Sequence, residues 1–381
     1  MNSIQALFEA SRRVVIKIGS SLLIDSENTA RRAWLKALAE DVAELHSRGK
    51  QIVIVSSGAI ALGKQTLGWS ERRLELQEKQ AAAACGQIRL CAEWASAFQF
   101  EVSTLQPAQI LLTLDDSENR RRYLNARHTF ETLLAQPNVI PIVNENDTVA
   151  TDEIRVGDND RLAARVAQMI SADLLVLLSD VRGLYTMSPL TGQNQAKLIP
   201  EVDQITSEIE AMAGGAGSNF GSGGMRTKIE AAKIGVSAGC HMLIAYGVES
   251  HPIRALLNGS ACTWFKARAN PAGARKHWIL GKLRAHGTYV VDDGAASALM
   301  KGKSLLPAGV GQVKGEFDRG DAVMIETLTG QIIGKGLSEY SSDQATRIIG
   351  AHSHEIENIL GFKYRDTLIH RDDMVVEKGI E

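Results

Sequence analysis

Short, uninterrupted apolar runs alternate with longer segments of helical period through the first two thirds of this chain, and that alternation limits the fold more than any other feature. The runs lie at residues 14–18, 52–56, 102–105, 139–143, 174–178 and 242–245. A strand that is apolar at nearly every position has no solvent face, so it must be covered on both sides. Between the first two runs, Trp34, Leu38, Val42 and Leu45 recur at helical spacing while Arg31, Arg32, Glu40 and Glu44 face elsewhere. The expected class is α/β: an open, mainly parallel sheet sandwiched between helices.

The pattern breaks near residues 267–286, "ARANPAGARKHWILGKLRAH", a basic stretch with a proline, several glycines and no period. Short strands with turn signals follow, in "GTYVVDDGA", "SLLPAGVGQVKGEF" and "GDAVMIETLTGQIIGKGLSEYS", and predict a small antiparallel, mainly-β barrel. The division expected is a first domain over 1–268, a linker over 269–286, a β domain over 287–368 and a tail over 369–381. A chain of 381 residues with 44% hydrophobic side chains can fill two cores. Lysine plus arginine, 42, nearly balances aspartate plus glutamate, 44, so anion binding has to be local rather than global. The N-terminus lacks the pattern of a signal peptide, and no apolar run reaches the ~18 residues of a membrane span. The four cysteines lack CxxC spacing and read as small core residues of a reducing compartment. These features predict a soluble, cytoplasmic protein without a membrane partner.

Three small-residue turns carry the chemistry. In "VVIKIGSSLL" a strand runs into Lys17, Gly19, Ser20 and Ser21, which suits a phosphate, although a strand-terminal lysine also snorkels to solvent. "IVIVSSGAIALG" runs a strand into Ser56, Ser57 and Gly58 ahead of a helix, a site for an anion or simply a serine cap. "GSGGMRTKIEAAKIG" feeds a glycine-rich turn into a helix that carries Lys228 early. None of them fits GxxxxGK[ST] or a strand-borne GxGxxG, which argues against a P-loop or Rossmann site. In an open parallel sheet, all three turns can converge on one crevice at the carboxyl edge.

After the run "VIPIV", the stretch "NENDTVATDEIRVGDND" concentrates acids and asparagines. A metal cage, a solvated loop and a surface for a positively charged ligand all compete for it. The register of a calcium loop is absent, and the Asp158–Asp160 pair could either touch nucleotide-borne magnesium or cap the helix that follows. His352 and His354 have no further ligand at metal spacing, and GxSxG is absent, which disfavours a hydrolase elbow.

Taken in order, "KIGSS", "IVIVSSGAIALG", "NENDTVA" with "VGDND", "LLSDVRGLYT" and "GSGGMRTKIEAA" resemble the amino acid kinase family. The C-terminal "SLLPAGV", "FDRGDAVMI" and "ILGFKYRDTLIHRDDMVV" resemble the PUA domain appended to many of its bacterial members. The resemblance implies an amino acid kinase domain with ATP at the strand ends, followed by a PUA barrel. It also implies ATP- and Mg2+-dependent phosphorylation of the side-chain carboxylate of L-glutamate to glutamyl 5-phosphate, the first step of proline biosynthesis.

Carried over by position, Lys17 and Lys228 would contact phosphates and Asp160 would orient them. Ser57, Gly58, Asn144, Asp147 and Asn159 would hold glutamate. Ser179, Asp180, Ser222, Gly223, Gly224, Met225, Arg226, Thr227 and Lys228, with Lys17, would form the nucleotide site. Feedback inhibition by proline and a homo-oligomer, dimer or tetramer, are also implied, and a hand-off of the acyl phosphate to glutamyl phosphate reductase is allowed. Acetylglutamate, aspartate, carbamate and uridylate kinases share the fold and remain rival readings. RNA is a disfavoured partner, because residues 281–381 carry fifteen acidic against twelve basic side chains.

Overall fold

The computed structural model describes residues 3–25, 27, 29–99, 104–150, 158–187, 196–213, 224–274 and 284–376. The chain divides into two compact units, one of Met1–Glu118 with Asn125–Pro271 and one of Asn119–Leu124 with Ala272–Glu381.

In chain order the first part runs α1 (Ser3–Ala10), β1 (Arg13–Ile18), α2 (Ser20–Leu23), α3 (Arg32–Ser47), β2 (Gln51–Val55), α4 (Ala59–Thr66), α5 (Leu76–Ala97), β3 (Gln106–Leu112), α6 (Leu114–Glu118), α7 (Arg120–Leu134) and β4 (Val139–Glu145). It continues through α8 (Asp158–Met169), β5 (Leu174–Ser179), β6 (Glu201–Val202), α9 (Ser207–Met212), α10 (Gly224–Ser237), β7 (His241–Tyr246), α11 (Pro252–Leu257) and β8 (Cys262–Phe265). The strands form one eight-stranded sheet in the order β3-β4-β2-β1-β5-β7-β8-β6. From β3 to β7 every pairing is parallel, and β8 runs antiparallel to β7.

The central strands are those whose sequences are apolar throughout. β5, LLVLLS, is buried at every position, and β1, RVVIKI, at all but its first. Helix α3 buries Trp34, Leu38, Val42 and Leu45, the residues its spacing selected. The connection from β1 runs to β2 on one side, and the later connection from β4 crosses back to β5 on β1's other side, so the strand order switches at β1, where a crevice opens at the carboxyl ends of the strands. Register places Lys17 beside Val55 on one side and Leu177 on the other.

The sheet edges depart from expectation. Of the run expected at 102–105, residues 102 and 103 lie outside the described residues and 104–105 precede strand β3, QPAQILL, an edge strand that leaves Gln106, Gln109 and Leu111 exposed and tolerates Pro107. Short β6 and β8 carry no long apolar run, and sequence periodicity missed both.

The second unit holds a separate sheet of β9 (Ala285–Val291), β10 (Val310–Gly315), β11 (Ala322–Thr327), β12 (Ile332–Leu337) and β13 (Met374–Val376), ordered β10-β9-β11-β12-β13. Tyr289, Val291, Phe317, Val323, Ile325 and Tyr340 pack in its core. The antiparallel expectation is corrected in one respect: β11 pairs with β9 in parallel, so the sheet is mixed. After β10 turns back along β9, the chain crosses to β9's other edge, and that crossover forces the parallel pair. Residues 374–376, expected in a tail, are strand β13 and pair with β12, while residues 275–283 of the expected linker lie outside the described residues.

Candidate active site

A cavity of about 710 Å³ opens at the carboxyl edge of β1, β2, β4 and β5. Three elements bring charge to one point on its wall. β1 supplies Lys17, the first turn of α8 supplies Asp160, and α10 supplies Lys228; all three residues are buried. Lys17 Nζ lies 2.5 Å from Asp160 Oδ1, and Lys228 Nζ donates to Asp160 Oδ2 at 3.0 Å. Thr227 Oγ1 donates to the same Oδ2 at 2.9 Å.

Burial alone would raise the carboxyl pKa of Asp160, but Lys17 and Lys228 outweigh it and hold the group below the usual carboxylate range. Burial lowers the pKa of Lys17, with Asp160 opposing that shift and Lys228 adding to it. Two ammonium groups sharing one carboxylate leave a positive charge in excess inside a low-dielectric wall. An anion completes such a cluster, and polyanionic phosphate suits it.

Next to this cluster, β2 ends and Ser57–Gly58 lead into α4. Gly58 sits at φ 105° as the N-cap, a conformation natural to glycine, and it gives the first turn of α4 no side-chain acceptor. Gly58, Ala59 and Ile60 line the cavity, so the positive end of α4 adds to its field. At the end of β4, Asn144 and Asp147 are buried and also line the wall. Asn159 Nδ2 reaches Ser57 Oγ at 2.8 Å and Asn144 Oδ1 at 3.2 Å, which knits the second and fourth strand ends to α8. Asn159 Oδ1 is buried without a hydrogen-bond partner among the described residues.

The residues singled out by sequence fall into three groups. Lys17, Ser57, Gly58, Asn144, Asp147, Asn159, Asp160, Ser179, Asp180, Gly224 and Lys228 all line the one cavity. Thr227 reaches it through Asp160, whereas Met225 is absent from its lining and Arg226 is exposed, pairing with Glu230 along α10. Ser222 and Gly223 lie outside the described residues, as do positions 151–157 of the acidic loop. Sequence reasoning missed Lys64, Arg72, Arg73 and Lys79, cavity-lining cations from α4, α5 and their connection. Their signal was the basic cluster in "GKQTLGWSERRLELQEK", which helical surfaces carry routinely.

Among the described residues, no three His, Cys, Asp or Glu side chains converge as a metal cage. The carboxylates on the cavity wall are Glu145, Asp147, Asp160 and Asp180, and Asp160 is engaged by both lysines. Carboxylate oxygens are the ligands magnesium takes, so this donor set is compatible with an ion carried on substrate phosphates. No helix among the described residues is long and apolar enough to cross a membrane.

An open, mostly parallel sheet whose carboxyl edge presents two buried lysines around one aspartate defines a phosphate-handling α/β protein. Residues 12–246 match the amino acid kinase family and residues 287–360 match the PUA domain. A curated glutamate 5-kinase of Paramagnetospirillum magneticum is 56% identical over 369 residues, covering 97% of this chain and 98% of the relative. Another, from Rhodopseudomonas palustris, is 57% identical over 367 residues and 96% of each chain. A solved carbamate kinase from Giardia lamblia, bound to AMP-PNP, aligns with 68% of this chain and 99% of its own at 18% identity, with a TM-score of 0.47. The chain belongs to the amino acid kinase family and carries a PUA domain after its kinase domain.

Proposed function

We propose that this protein transfers the terminal phosphoryl group of ATP to the side-chain carboxylate of L-glutamate, giving glutamyl 5-phosphate. The observation that carries the reading is the Lys17–Asp160–Lys228 cluster, one positive charge in excess, beside an acceptor wall of Ser57, Asn144, Asp147 and Asn159 in the same cavity. Near-full-length similarity to curated glutamate 5-kinases supports glutamate over the other acceptors used within the family.

The chemistry needs no general base. A glutamate side chain, with a pKa of ~4.3, is already a nucleophilic carboxylate at neutral pH. The difficulty is repulsion between two anions, and charge gathers on the transferring group in the transition state. Lys17 and Lys228 hold the phosphates and stabilise that charge, while Asp160 fixes the direction in which each ammonium points. Asp147 receives the α-ammonium of glutamate, with Asn144, Asn159, Ser57 and Gly58 completing the acceptor site. Ser179, Asp180, Ser222 and Gly223, with Gly224, Met225, Arg226 and Thr227 at the start of α10, form the nucleotide side. Magnesium bound to the nucleotide would neutralise part of the phosphate charge.

The wider reading places this reaction first in proline biosynthesis, in the cytoplasm, with proline as feedback inhibitor and a dimer or tetramer as the working form. The kinase domain is assigned to 1–268, the linker to 269–286 and the PUA domain from 287 onward, with β13 included in the C-terminal sheet. Incubation with ATP, magnesium and glutamate, trapping the product with hydroxylamine, tests the activity. Aspartate, acetylglutamate, carbamate and UMP as alternative acceptors test its specificity, and added proline tests the regulation.

A further inference from the structure

Helix α5 brings Lys79 to the cavity, and a separate stripe of it is hydrogen-bonded to the backbone and side chains of the acceptor wall. Gln80, Gln87 and Trp94 are spaced seven residues apart, two helical turns less about 20°, so they share one face. Gln80 Nε2 donates to the carbonyl of Ala150 at 3.1 Å, and Trp94 Nε1 donates to Ser56 Oγ at 3.1 Å. Between them, Gln87 Oε1 accepts from Asn144 Nδ2 at 2.7 Å. The stripe therefore touches the end of β2, the end of β4 and the loop after β4, the segments that hold the acceptor site.

The middle contact has a chemical consequence. An amide can present either its oxygen or its NH2, and the choice is set by its partners. Because Gln87 takes a proton of Asn144 Nδ2, Asn144 turns its oxygen to Asn159, which donates through Nδ2 at 3.2 Å. Asn159 Nδ2 also donates to Ser57 Oγ at 2.8 Å and to the Ser56 carbonyl at 3.3 Å, so three acceptors hold its NH2 toward the wall and leave its Oδ1, buried and without a partner among the described residues, on the other side of the amide. Without the Gln87 acceptor, Asn144 loses the contact that keeps its oxygen toward Asn159, the relay then rests on the Ser56 carbonyl and Ser57 alone, and an Asn159 turned to present NH2 would repel an ammonium.

We propose that Gln87 is a positioning residue that sets the polarity of the Asn144–Asn159 relay and so selects an acceptor bearing an α-ammonium group. This rests on the glutamate reading above. Gln87 does not touch the reacting atoms and acts through Asn144.

The test compares Gln87→Met, which keeps length and removes the acceptor oxygen, with Gln87→Glu, which retains an acceptor for Asn144. Wild-type turnover with glutamate is measured first, so that absence of product counts against the glutamate reading and not against Gln87 alone. Given wild-type turnover, Gln87→Met should raise the KM for glutamate by about ten- to a hundredfold, the worth of one hydrogen bond to a charged group. Its KM for ATP should stay within about threefold of wild type, as should the Ki of glutarate, which lacks the ammonium. Gln87→Glu should restore most of the affinity for glutamate. Should Gln87→Met not fold, Gln87→Lys, which puts a donor where Asn144 needs an acceptor, should show the same selective loss. The proposal is overturned by an unchanged KM for glutamate, by equal losses for glutamate and glutarate, or by Gln87→Glu behaving as badly as the methionine variant.

Discussion

Lys228 Nζ donates to Asp160 Oδ2 at 3.0 Å, and both residues are buried at the cavity wall. The contact positions an ammonium that belongs to α10 by means of a carboxylate that belongs to α8, so neither helix presents the site alone. Lys228→Ala should lower kcat by ~10²–10³, the cost of losing one donor aimed at developing charge, with a smaller change in the KM for glutamate. Steady-state kinetics check this, and a near-normal kcat would remove Lys228 from the mechanism.

Asp147 is buried on the cavity wall, where the proposed function puts the α-ammonium of glutamate. Replacing it with alanine should act mainly on glutamate binding, because an ammonium would lose its carboxylate partner. The KM for glutamate should rise at least ~10-fold while the KM for ATP changes little, in line with the 1.5–3 kcal/mol of a charged hydrogen bond. An unchanged KM for glutamate counts against the assignment.

Burial holds Lys17 below the ordinary lysine pKa of 10.5, and Asp160 is the neighbour that most opposes the shift. Since phosphate binding needs the ammonium, the rate should fall on an alkaline limb at lower pH than an exposed lysine would give. Asp160→Asn removes the raising influence, so in that variant the limb should move to still lower pH. Stability follows the same signs. Between the lowered pKa of Lys17 and 10.5, the unfolded chain binds more protons, and this group makes stability rise with pH. Asp160, held below 3.8, contributes stability above that value and loses it as pH falls through its lowered folded pKa. pH–rate profiles and denaturant melts across pH measure the two effects.

Helices α4 and α5 meet backbone to backbone. A Cβ on Gly86 would fall 1.8 Å from the carbonyl oxygen of Ala59, and one on Gly63 would fall 1.7 Å from that of Ala82. Gly86→Ala should therefore destabilise the fold by ~1–3 kcal/mol or more and weaken activity, since Ala59 lines the cavity. Gly235, inside α10, has no atom within 3.7 Å of such a Cβ, and Gly235→Ala should be neutral or stabilising by up to ~1 kcal/mol. Thermal melts of the two variants make the comparison, and similar melting temperatures would contradict it.

What the sequence disclosed follows from where each element sits. β1 and β5 are covered on both faces, so their runs are apolar without interruption and were readable. β3 lies at an edge with half of its residues facing outward, and its exposed glutamines and Pro107 hid it. β13 is only three residues long, too short to carry a period. In the candidate site, Lys17, Asp160 and Lys228 were legible because their motifs occur in the order of a known family. The gathering of both lysines on a single carboxylate is a tertiary fact, built from residues up to 211 positions apart, and no local pattern encodes it. Gln87 and Arg73 went unread for a related reason: each looks like an ordinary helix-surface or loop residue until the fold brings it to the cavity or to Asn144.

In the proposed reaction Lys17, Asp160 and Lys228 support transfer of a phosphoryl group from ATP to a carboxylate supplied by glutamate. Hydroxylamine trapping with ATP and magnesium tests it most directly, with glutamate, aspartate and acetylglutamate offered in parallel and Lys228→Ala as a control. The account predicts a hydroxamate formed from glutamate in preference to the others and reduced by at least ~10²-fold in the variant. Hydroxamate formation with another acceptor but not with glutamate, or an undiminished yield from Lys228→Ala, would contradict it.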